Sequence, residues 1–298
     1  MVGRSRIVVV GAGGQLGGAV VREFAPAHDV TPLGHGDLDT TDDRRVAEAM
    51  ARLRPDAIIN CAAYNDVDGA EDDPAAALNV NAFAVRALAA AAVAQDAVLV
   101  HYSTDFVFDG ITASPYTEQD RPNPRSAYAI SKLLGEWFAA DAPRHYLLRV
   151  ESLFGRPVDG PARGTVAAFY RTLIGGGQPR AFEDRTVSPT HIADAARATR
   201  LLLEARAPSG VYHCVNSGWC TWVEFASEMA RQMGIEPRVT RVRMADVTLR
   251  AQRPAYCALS NHKLQALGIS MPSWRDGLAR YVAEMRDGAL NPPPSDGI

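Results

Sequence analysis

A short apolar run followed directly by a cluster of glycines is the feature that most restricts how this chain can fold. Ile7-Val-Val-Val10 predicts a fully buried strand, and Gly11-Ala-Gly-Gly14-Gln-Leu-Gly17 leads from it into a helical stretch that ends near Phe24. Glycine is needed where the backbone turns tightly and approaches a pyrophosphate closely. The helix that follows directs free N–H groups towards such an anion. We therefore predict a dinucleotide-binding turn here.

Short apolar runs and helical stretches continue to alternate through the first half of the chain. Further strands are predicted at residues 28–33, 56–60, 98–102 and 146–150, and helices at 44–53, 75–94 and 126–140. Such alternation is typical of a parallel sheet that helices cover on both faces. The predicted fold class is α/β, with a Rossmann-type doubly wound parallel sheet.

The pattern loosens after Phe154, which suggests a second unit. Helices are predicted at residues 192–205 and 221–233, and strands at 211–215 and 239–242. We expect residues 1–154 to form an NAD(P)-binding Rossmann domain, to which later segments return. Residues 155–290 are expected to form a smaller C-terminal α/β substrate-binding lobe that caps the carboxyl end of the sheet. Residues 291–298 contain three prolines and are predicted to be a disordered tail.

The end of the second predicted strand bears on the choice of cofactor. An acidic residue there favours the free 2′-hydroxyl of NAD, whereas a neutral or basic site tolerates a 2′-phosphate. The strand ends in Pro32-Leu33-Gly34-His35-Gly36, and the acids Asp37 and Asp39 come only later. NADP(H) is the predicted cofactor, with NAD(H) as the alternative.

Tyr128 and Lys132 are four residues apart in a predicted helix, so their side chains share one face. A phenol normally loses its proton near pH 10, and we expect the ammonium of Lys132 to lower the pKa of Tyr128 so that it acts as a general acid. With nine tyrosines and only two lysines in the chain, chance predicts roughly 0.06 such Tyr-x-x-x-Lys pairs. Ser103 or Thr104, which end a neighbouring strand, could hydrogen-bond the substrate carbonyl oxygen that Tyr128 would protonate.

These residues together resemble the extended short-chain dehydrogenase/reductase superfamily, and within it the dTDP-4-dehydrorhamnose reductases. The resemblance covers nearly the whole chain. It rests on residues 14–17, 54–60, 62–64, 67–68, 70–71, 81–82, 115–116, 118, 128, 132, 135–136, 253–254 and 259–260, and most specifically on Ser103-Thr-Asp-Phe-Val-Phe-Asp-Gly110.

The resemblance implies a role for particular residues. The implied catalytic set is Thr104, Tyr128 and Lys132. The implied cofactor contacts are Gly11, Gly14, Gln15, Leu16, Gly17, Asp39, Ala62, Ala63, Tyr64, Asn81, Ser103, Tyr128 and Lys132. The implied substrate contacts are Val67, Thr104, Asp105, Phe106, Leu153 and Arg253. The implied substrate is a thymidine-diphosphate 4-keto-6-deoxy sugar, which receives hydride at C4.

The chain departs from this family's patterns at three places. Where the family commonly has Arg-Thr-Ser-Trp, this chain has Arg149-Val-Glu-Ser-Leu153, and Leu153 is expected to replace the tryptophan near the sugar. Phe106 stands where a tyrosine is usual. Glu183-Asp-Arg-Thr-Val-Ser-Pro-Thr190 varies the pattern Asp-Gln-x-Gly-x-Pro-Thr. We infer an NAD(P)H-dependent reductase of a related nucleotide-linked 4-keto-6-deoxy sugar, from a specialised deoxysugar pathway.

Two alternative functions stay open at this point. The first is a nucleotide-sugar epimerase that retains tightly bound NAD. The second is a catalytically silent, cofactor-sensing regulatory subunit of the kind that accompanies methionine adenosyltransferase. A dehydratase is disfavoured because Thr104-Asp105 is followed by Phe106 and not by a glutamate.

Composition restricts the partners. The formal net charge is −3 and no basic block occurs, so we expect no nucleic acid. The four cysteines form no Cys-x-x-Cys pair, which predicts reduced thiols and no catalytic metal. We find no leader-like segment and no apolar run of membrane-spanning length, so we expect a cytoplasmic protein without a membrane partner. The resemblance implies a monomer or a homodimer.

Overall fold

The structure is a computed structural model that describes residues 4–158 and 160–290. The predicted tail, residues 291–298, lies outside the described residues. The strands are β1 (Arg6–Val10), β2 (Asp29–Leu33), β3 (Ala57–Asn60), β4 (Val98–Thr104), β5 (His145–Val150), β6 (Leu153–Phe154), β7 (Arg180–Phe182), β8 (Thr186–Val187), β9 (Thr190–His191), β10 (Gly210–His213), β11 (Cys220–Thr221) and β12 (Thr240–Val242). The helices are α1 (Gln15–Phe24), α2 (Asp43–Leu53), α3 (Gly69–Asp72), α4 (Pro74–Leu78), α5 (Ala84–Ala94), α6 (Ala127–Ala139), α7 (Thr165–Ile174), α8 (Ile192–Glu204), α9 (Trp222–Gln232), α10 (His262–Ala266) and α11 (Trp274–Leu290).

A six-stranded parallel sheet in the order β10-β5-β4-β3-β1-β2 forms the centre of the molecule. The direction in which strands are added reverses between β1 and β3. The chain places β2 on one side of β1 and then returns to add β3, β4 and β5 on the other side. At the carboxyl edge Val10 pairs with Leu33 and Asn60, and Thr104 pairs with Val150. The predicted α/β class with a Rossmann-type sheet is confirmed.

Successive residues of each strand enter different cores, because side chains alternate between the faces of a sheet. Val9 packs with α1 and α8 on one face, while Val8 and Val10 pack with α2 and α5 on the other. All three valines are buried. Alanine-rich α5 lies close to the sheet because its small side chains permit a close approach.

The predicted helix at residues 75–94 is observed as α4 and α5 joined by a π-helical turn, Asn79–Phe83. This 21-residue helix is long and apolar enough to cross a membrane by length and composition alone, since its mean hydropathy reaches 1.5. No apolar run of that length was expected from the sequence. It packs against α2, α6 and the sheet, and more than half of its most apolar stretch is buried. We therefore interpret it as a core helix.

The second half of the chain contributes to two different cores. β10 pairs with β5 in the main sheet and α8 packs on α1, so this part returns to the first unit. A separate hydrophobic cluster is built from the second half, with large side chains contributed by Phe154, Phe169, Phe225, Trp274 and Tyr281. The predicted strand at residues 239–242 is β12, and it pairs with β7 outside the main sheet.

Several elements of the second half were not predicted. They are α7, α10 and α11 together with β6, β7, β8, β9 and β11, and in the first half α3 was not predicted either. Most of these strands have only two residues, too few for an alternating pattern to be recognised. The division into residues 1–154 and 155–290 stays a prediction.

Replacing Gly17 with alanine should destabilise the protein. A Cβ atom at Gly17 would lie 2.2 Å from the carbonyl oxygen of Gly11 and 2.9 Å from Cα of Ala12, both of them backbone atoms. We expect a loss of about 1–3 kcal/mol in the free energy of unfolding, measured by urea denaturation. Gly13→Ala is the matched control, because a Cβ there meets nothing within 4 Å. Equal stability of the two variants would contradict this account.

Candidate active site

A cavity of about 480 Å³ opens at the carboxyl edge of the main sheet, where ligands bind in folds of this type. We call it the site cavity. It brings together most of the residues predicted for cofactor and substrate, namely Gly14, Gln15, Leu16, Gly17, Ala62, Ala63, Val67, Ser103, Thr104, Asp105, Phe106, Tyr128, Lys132, Leu153 and Arg253. It also contains residues that were not predicted, namely Cys61, Asn65, Tyr102, Val150, Ser152, Thr165, Val166, Arg185 and Trp222.

The glycine turn between β1 and α1 fits a dinucleotide. Gly11 has a φ of +76°, and a Cβ atom there would lie 2.6 Å from the backbone nitrogen of Ala62, so only glycine suits this position. Gly14 caps α1, and among the described residues no side chain caps this helix and no acid stands in its first turn. The N–H groups at the start of α1 are therefore open to an anion such as a pyrophosphate.

Tyr128 and Lys132 lie on the same side of α6 and both line the site cavity. The side chains are almost completely buried, with 8% and 2% of their surface exposed. Nζ of Lys132 donates a hydrogen bond of 2.6 Å to the carbonyl oxygen of Tyr102 in β4. This bond holds the first turns of α6 against the end of β4, next to Thr104.

The shift in the pKa of Tyr128 is opposite to the one predicted. Burial, reinforced by the carboxylate of Asp105, raises the pKa of Tyr128 above its ordinary value, although a hydrogen bond with Thr104 opposes the shift. Burial also lowers the pKa of Lys132 to about 8, with Glu136 acting in the other direction. The sequence argument failed because desolvation of the phenol is the dominant cause, and the ammonium of Lys132 donates to the carbonyl of Tyr102 and is not among the groups that shift the pKa of Tyr128. Tyr128 is consequently protonated at neutral pH and can serve as a proton donor.

Thr104 connects Tyr128 to Asp105. Oγ1 of Thr104 donates to Oδ1 of Asp105 at 3.0 Å and accepts a hydrogen bond from the backbone nitrogen of Phe106 at 3.2 Å. The ring of Phe106 meets the ring of Tyr128 edge to face, with centroids 5.7 Å apart. Thr104 and Tyr128 are thus placed to contact one oxygen atom of a molecule in the site cavity.

Ser103 has a different partner. Its hydroxyl donates to Oε1 of Glu136 at 2.5 Å, and Glu136 also accepts two hydrogen bonds from Arg149, at 2.8 and 2.7 Å. Glu136 and Arg149 are both 3% exposed. Although Ser103 lines the cavity, its proton is committed to this buried ion pair, which sequence analysis missed.

Four predicted cofactor contacts, Gly11, Asp39, Tyr64 and Asn81, do not line the site cavity. The side chain of Asp39 accepts hydrogen bonds from the hydroxyl and backbone of Thr41, which lower the pKa of Asp39. Asn81 is fully buried and binds both backbone groups of Tyr64 and the hydroxyl of Ser131. Its observed role is to hold the loop after β3 against α6.

Arg253 links the second half of the chain to the rim of the cavity. Its Nη2 lies 2.8 Å from Oδ2 of Asp68 in the loop after β3. Counted residue by residue from Arg149, the tryptophan of the family pattern Arg-Thr-Ser-Trp corresponds to Ser152 and not to Leu153, which corrects the assignment made above. Both Ser152 and Leu153 line the cavity.

A buried polar cluster that sequence analysis did not predict lies beside Thr104. It consists of Asp105, Glu151, Arg185 and Cys257, each at most 9% exposed. A carboxylate oxygen of Asp105, one of Glu151 and Sγ of Cys257 lie within 4.8 Å of one another. Their spacing would suit a metal ion, but the guanidinium of Arg185, 3.7 Å from Sγ of Cys257, already supplies positive charge. The prediction of no catalytic metal stays a prediction.

The parallel sheet, the glycine turn and the Tyr128–Lys132 pair beside Thr104 define an extended short-chain dehydrogenase/reductase. The chain matches the family described as the RmlD substrate binding domain over residues 5–287. The chain therefore belongs to the RmlD family, and the resemblance found in the sequence is confirmed.

Relatives of known name cover almost the full length of the chain. A dTDP-4-dehydrorhamnose reductase from Streptomyces griseus is 36% identical, with 98% of this chain and 97% of the relative covered. A probable dTDP-4,6-dihydroxy-2-methyloxan-3-one 4-ketoreductase from Streptomyces antibioticus is also 36% identical, with 98% and 99% covered. The crystal structure of dTDP-4-dehydrorhamnose reductase from Bacillus anthracis in complex with NADP superimposes with a TM-score of 0.89 at 32% identity, with 95% and 100% covered.

Replacing Glu136 with glutamine should destabilise the protein strongly, because it leaves the charge of Arg149 buried without a counterion. We expect a loss of about 3–5 kcal/mol in the free energy of unfolding, measured by chemical denaturation. Glu48→Gln is the control, since Glu48 forms an exposed helical pair with Arg44 and its removal should leave the transition midpoint unchanged. Similar midpoints for both variants would show that the buried pair does not stabilise the fold.

Proposed function

We propose that the protein is an NAD(P)H-dependent reductase of a nucleotide-linked 4-keto-6-deoxy sugar, with NADP(H) preferred over NAD(H). The observation that carries the proposal is the position of a protonated Tyr128 in the site cavity, next to Lys132 and Thr104 and across from the glycine turn. The names of the full-length relatives and the NADP in the Bacillus anthracis structure support it.

The turn residues 14–17 would hold the pyrophosphate of the cofactor through backbone N–H groups, while Ala62 and Ala63 would border it and Lys132 would bind a ribose hydroxyl. A bound reduced nicotinamide supplies the hydride. The carboxylate of Asp37 accepts a hydrogen bond of 2.8 Å from the backbone nitrogen of Gly34, so it is occupied within the turn after β2. His35 in the same turn is exposed. This arrangement supports the preference for a 2′-phosphate over a free ribose.

The chemistry of the chain's own residues concerns the developing alkoxide. In the proposed reaction Tyr128 donates its phenolic proton to the sugar oxygen as the C4 carbon accepts hydride. The Thr104 hydroxyl would turn from Asp105 to donate a hydrogen bond to the same oxygen. The ammonium of Lys132, which lines the same cavity, would stabilise the tyrosinate that results. Positioned proton transfer of this kind typically contributes about 10²–10⁴-fold to the rate.

We further propose that residues 1–154, with β10 and α8, bind the cofactor, and that the remainder of residues 155–290 binds the nucleotide end of the substrate. Arg253 places a guanidinium on that side of the cavity, which suits a diphosphate. A cytoplasmic location and a monomeric or homodimeric state are part of the same proposal, and four free cysteines agree with a reducing compartment.

The function is tested by following NADPH oxidation at 340 nm, the nicotinamide absorbance band, with a panel of nucleotide-linked 4-ketosugars, at about 1 mM each. We expect turnover with at least one thymidine-diphosphate 4-keto-6-deoxy sugar. Interconversion of sugars without net NADPH oxidation, by protein that co-purifies with NAD, would favour the epimerase. Co-purification with a larger enzyme and no oxidation with any sugar would favour the regulatory subunit.

Tyr128→Phe should reduce kcat by about 10²–10⁴-fold while leaving NADPH affinity nearly unchanged, because only the proton donor is removed. Steady-state kinetics and a fluorescence titration with NADPH measure the two effects. Tyr146→Phe is the matched control, since the Tyr146 hydroxyl binds the carbonyl of Ala207 far from the site cavity. Turnover by Tyr128→Phe close to that of the control would reject Tyr128 as the acid.

A further inference from the structure

The buried cluster beside Thr104 contains more carboxyl groups than the proposed reaction uses. Asp105 and Glu151 are 3% and 1% exposed, and oxygens from the two lie within 4.8 Å of each other. One oxygen on each, Oδ2 of Asp105 and Oε1 of Glu151, has no hydrogen-bond partner in the described residues. Two carboxylates at this separation repel each other strongly in a buried site, and a single shared proton relieves the repulsion.

The surroundings of the pair favour one proton and one negative charge. Arg185, from the segment between β7 and β8, is the facing cation, and its Nε is also without a partner in the described residues. The second oxygen of Glu151 accepts a hydrogen bond of 2.6 Å from the backbone nitrogen of Ser188. Burial raises the pKa values of both Asp105 and Glu151, and the charge of Asp105 raises the pKa of Glu151 further.

The other titratable groups that face the pair do not alter this balance. Burial raises the pKa of the Cys257 thiol, so the thiol is neutral. The phenols of Tyr128 on α6 and of Tyr256, the residue before Cys257, also have raised pKa values, with burial as the main cause. One guanidinium and one singly protonated carboxyl pair together give a cluster with no net charge.

Thr104 joins this cluster to the proton donor. Its hydroxyl is hydrogen-bonded to Oδ1 of Asp105, and it also interacts with the phenol of Tyr128. Asp105 itself lines the site cavity, so water can reach the pair from there. A proton path therefore leads from water in the cavity to the Asp105–Glu151 pair, then to Thr104, and finally to Tyr128.

We propose that the Asp105–Glu151 pair is a proton reservoir that reprotonates Tyr128 through the Thr104 hydroxyl after each reduction. The inference rests on the proposed function and assigns Glu151, which replaces a serine of the family pattern, as a positioning residue that keeps a proton on the pair. It differs from a purely structural ion pair because the proton moves during turnover.

The steps balance. The sugar carbonyl carbon accepts hydride from the reduced cofactor, and the O–H bond of Tyr128 breaks as that of the product alcohol forms. The Thr104 hydroxyl turns away from Asp105 and gives its proton to the tyrosinate, and its oxygen then receives a proton from the carboxyl pair. The pair, left with two carboxylates, takes one proton from water in the cavity. The overall consumption is one hydride and one solvent proton for each ketone reduced.

The first test is independent of activity. Infrared spectra of the purified wild-type protein at neutral pH should contain the C=O stretching band of a protonated buried carboxyl. The band should disappear in Glu151→Gln, because the carboxyl whose pKa burial and Asp105 raise is removed, and Asp105 is left facing Arg185. A spectrum without this band in the wild type, or with the same band in both proteins, would overturn the proposal.

The second test separates the first turnover from those that follow. Glu151→Gln should reduce the sugar at the wild-type rate in a single turnover, since Tyr128 starts protonated. Later turnovers at pH 8 should be about tenfold slower, and the fall of kcat with rising pH should move to lower pH by about one unit. The profile moves to lower pH because Tyr128 is reprotonated only while a carboxyl of the cluster holds a proton. In the variant the remaining carboxyl, Asp105, loses its proton at a lower pH than the wild-type pair does.

Cys257→Ser is the matched control, because it alters the same cluster without removing a carboxyl, and its pH profile should equal that of the wild type. Equal slowing of the first and later turnovers in Glu151→Gln would indicate a structural effect and overturn the relay. So would an unchanged pH profile. If the wild type reduces no ketosugar, the proposed function fails, and the infrared test still decides whether the pair holds a proton.

Discussion

The buried carboxylate of Glu136 fixes the position of α6, the helix that carries Tyr128. It accepts hydrogen bonds from Ser103 at the end of β4 and from Arg149 near the end of β5, so one side chain joins α6 to two neighbouring strands. Lys132 lies one turn before Glu136 and Tyr128 two turns before it. The distance between Tyr128 and Thr104 therefore depends on this contact together with the hydrogen bond from Lys132 to the carbonyl of Tyr102, the second buried charged anchor of the helix.

The desolvation of two charges makes such an anchor costly unless every bond is made. Here three hydrogen bonds converge on Glu136, and the guanidinium of Arg149 also stacks over the ring of Phe108 at 5.0 Å. A contact of this kind tolerates little displacement, because moving α6 by a fraction of an ångström leaves a buried charge unpaired. The result is a rigid base under Tyr128 and Lys132, which general acid catalysis requires.

Local patterns in the sequence were sufficient to predict the sheet, the glycine turn and the helix that carries Tyr128 and Lys132, because each depends on a short repeat of apolar residues or on a fixed spacing. The two-residue strands of the second half have no such repeat. The sequence around Asn81 and Glu136 does not indicate their hydrogen-bond partners. The partners of Asn81 are at least 17 residues away, and those of Glu136 lie in neighbouring strands. Long-range polar contacts of this kind could not be inferred from one sequence.

The pKa of Tyr128 shows where spacing alone misleads. Four residues along a helix bring a lysine near a tyrosine, but the ammonium of Lys132 donates to the carbonyl of Tyr102 and burial controls the phenol. A reductase benefits from this direction, since its acid must keep a proton until an alkoxide, a much stronger base, is formed.

Glu151 and Arg185 are best understood as a single change. In the family patterns that this chain otherwise resembles, serine and glutamine stand at the two positions, and neither is charged. Introducing Glu151 alone would bury a second carboxylate against Asp105, and introducing Arg185 alone would bury a second cation near the cavity. Each is costly alone, whereas the two together add no net charge. A chain that had lost its chemistry would have no need of a compensated charge pair next to an intact Thr104, Tyr128 and Lys132. Their joint presence therefore favours an active reductase whose proton supply or sugar pocket is altered.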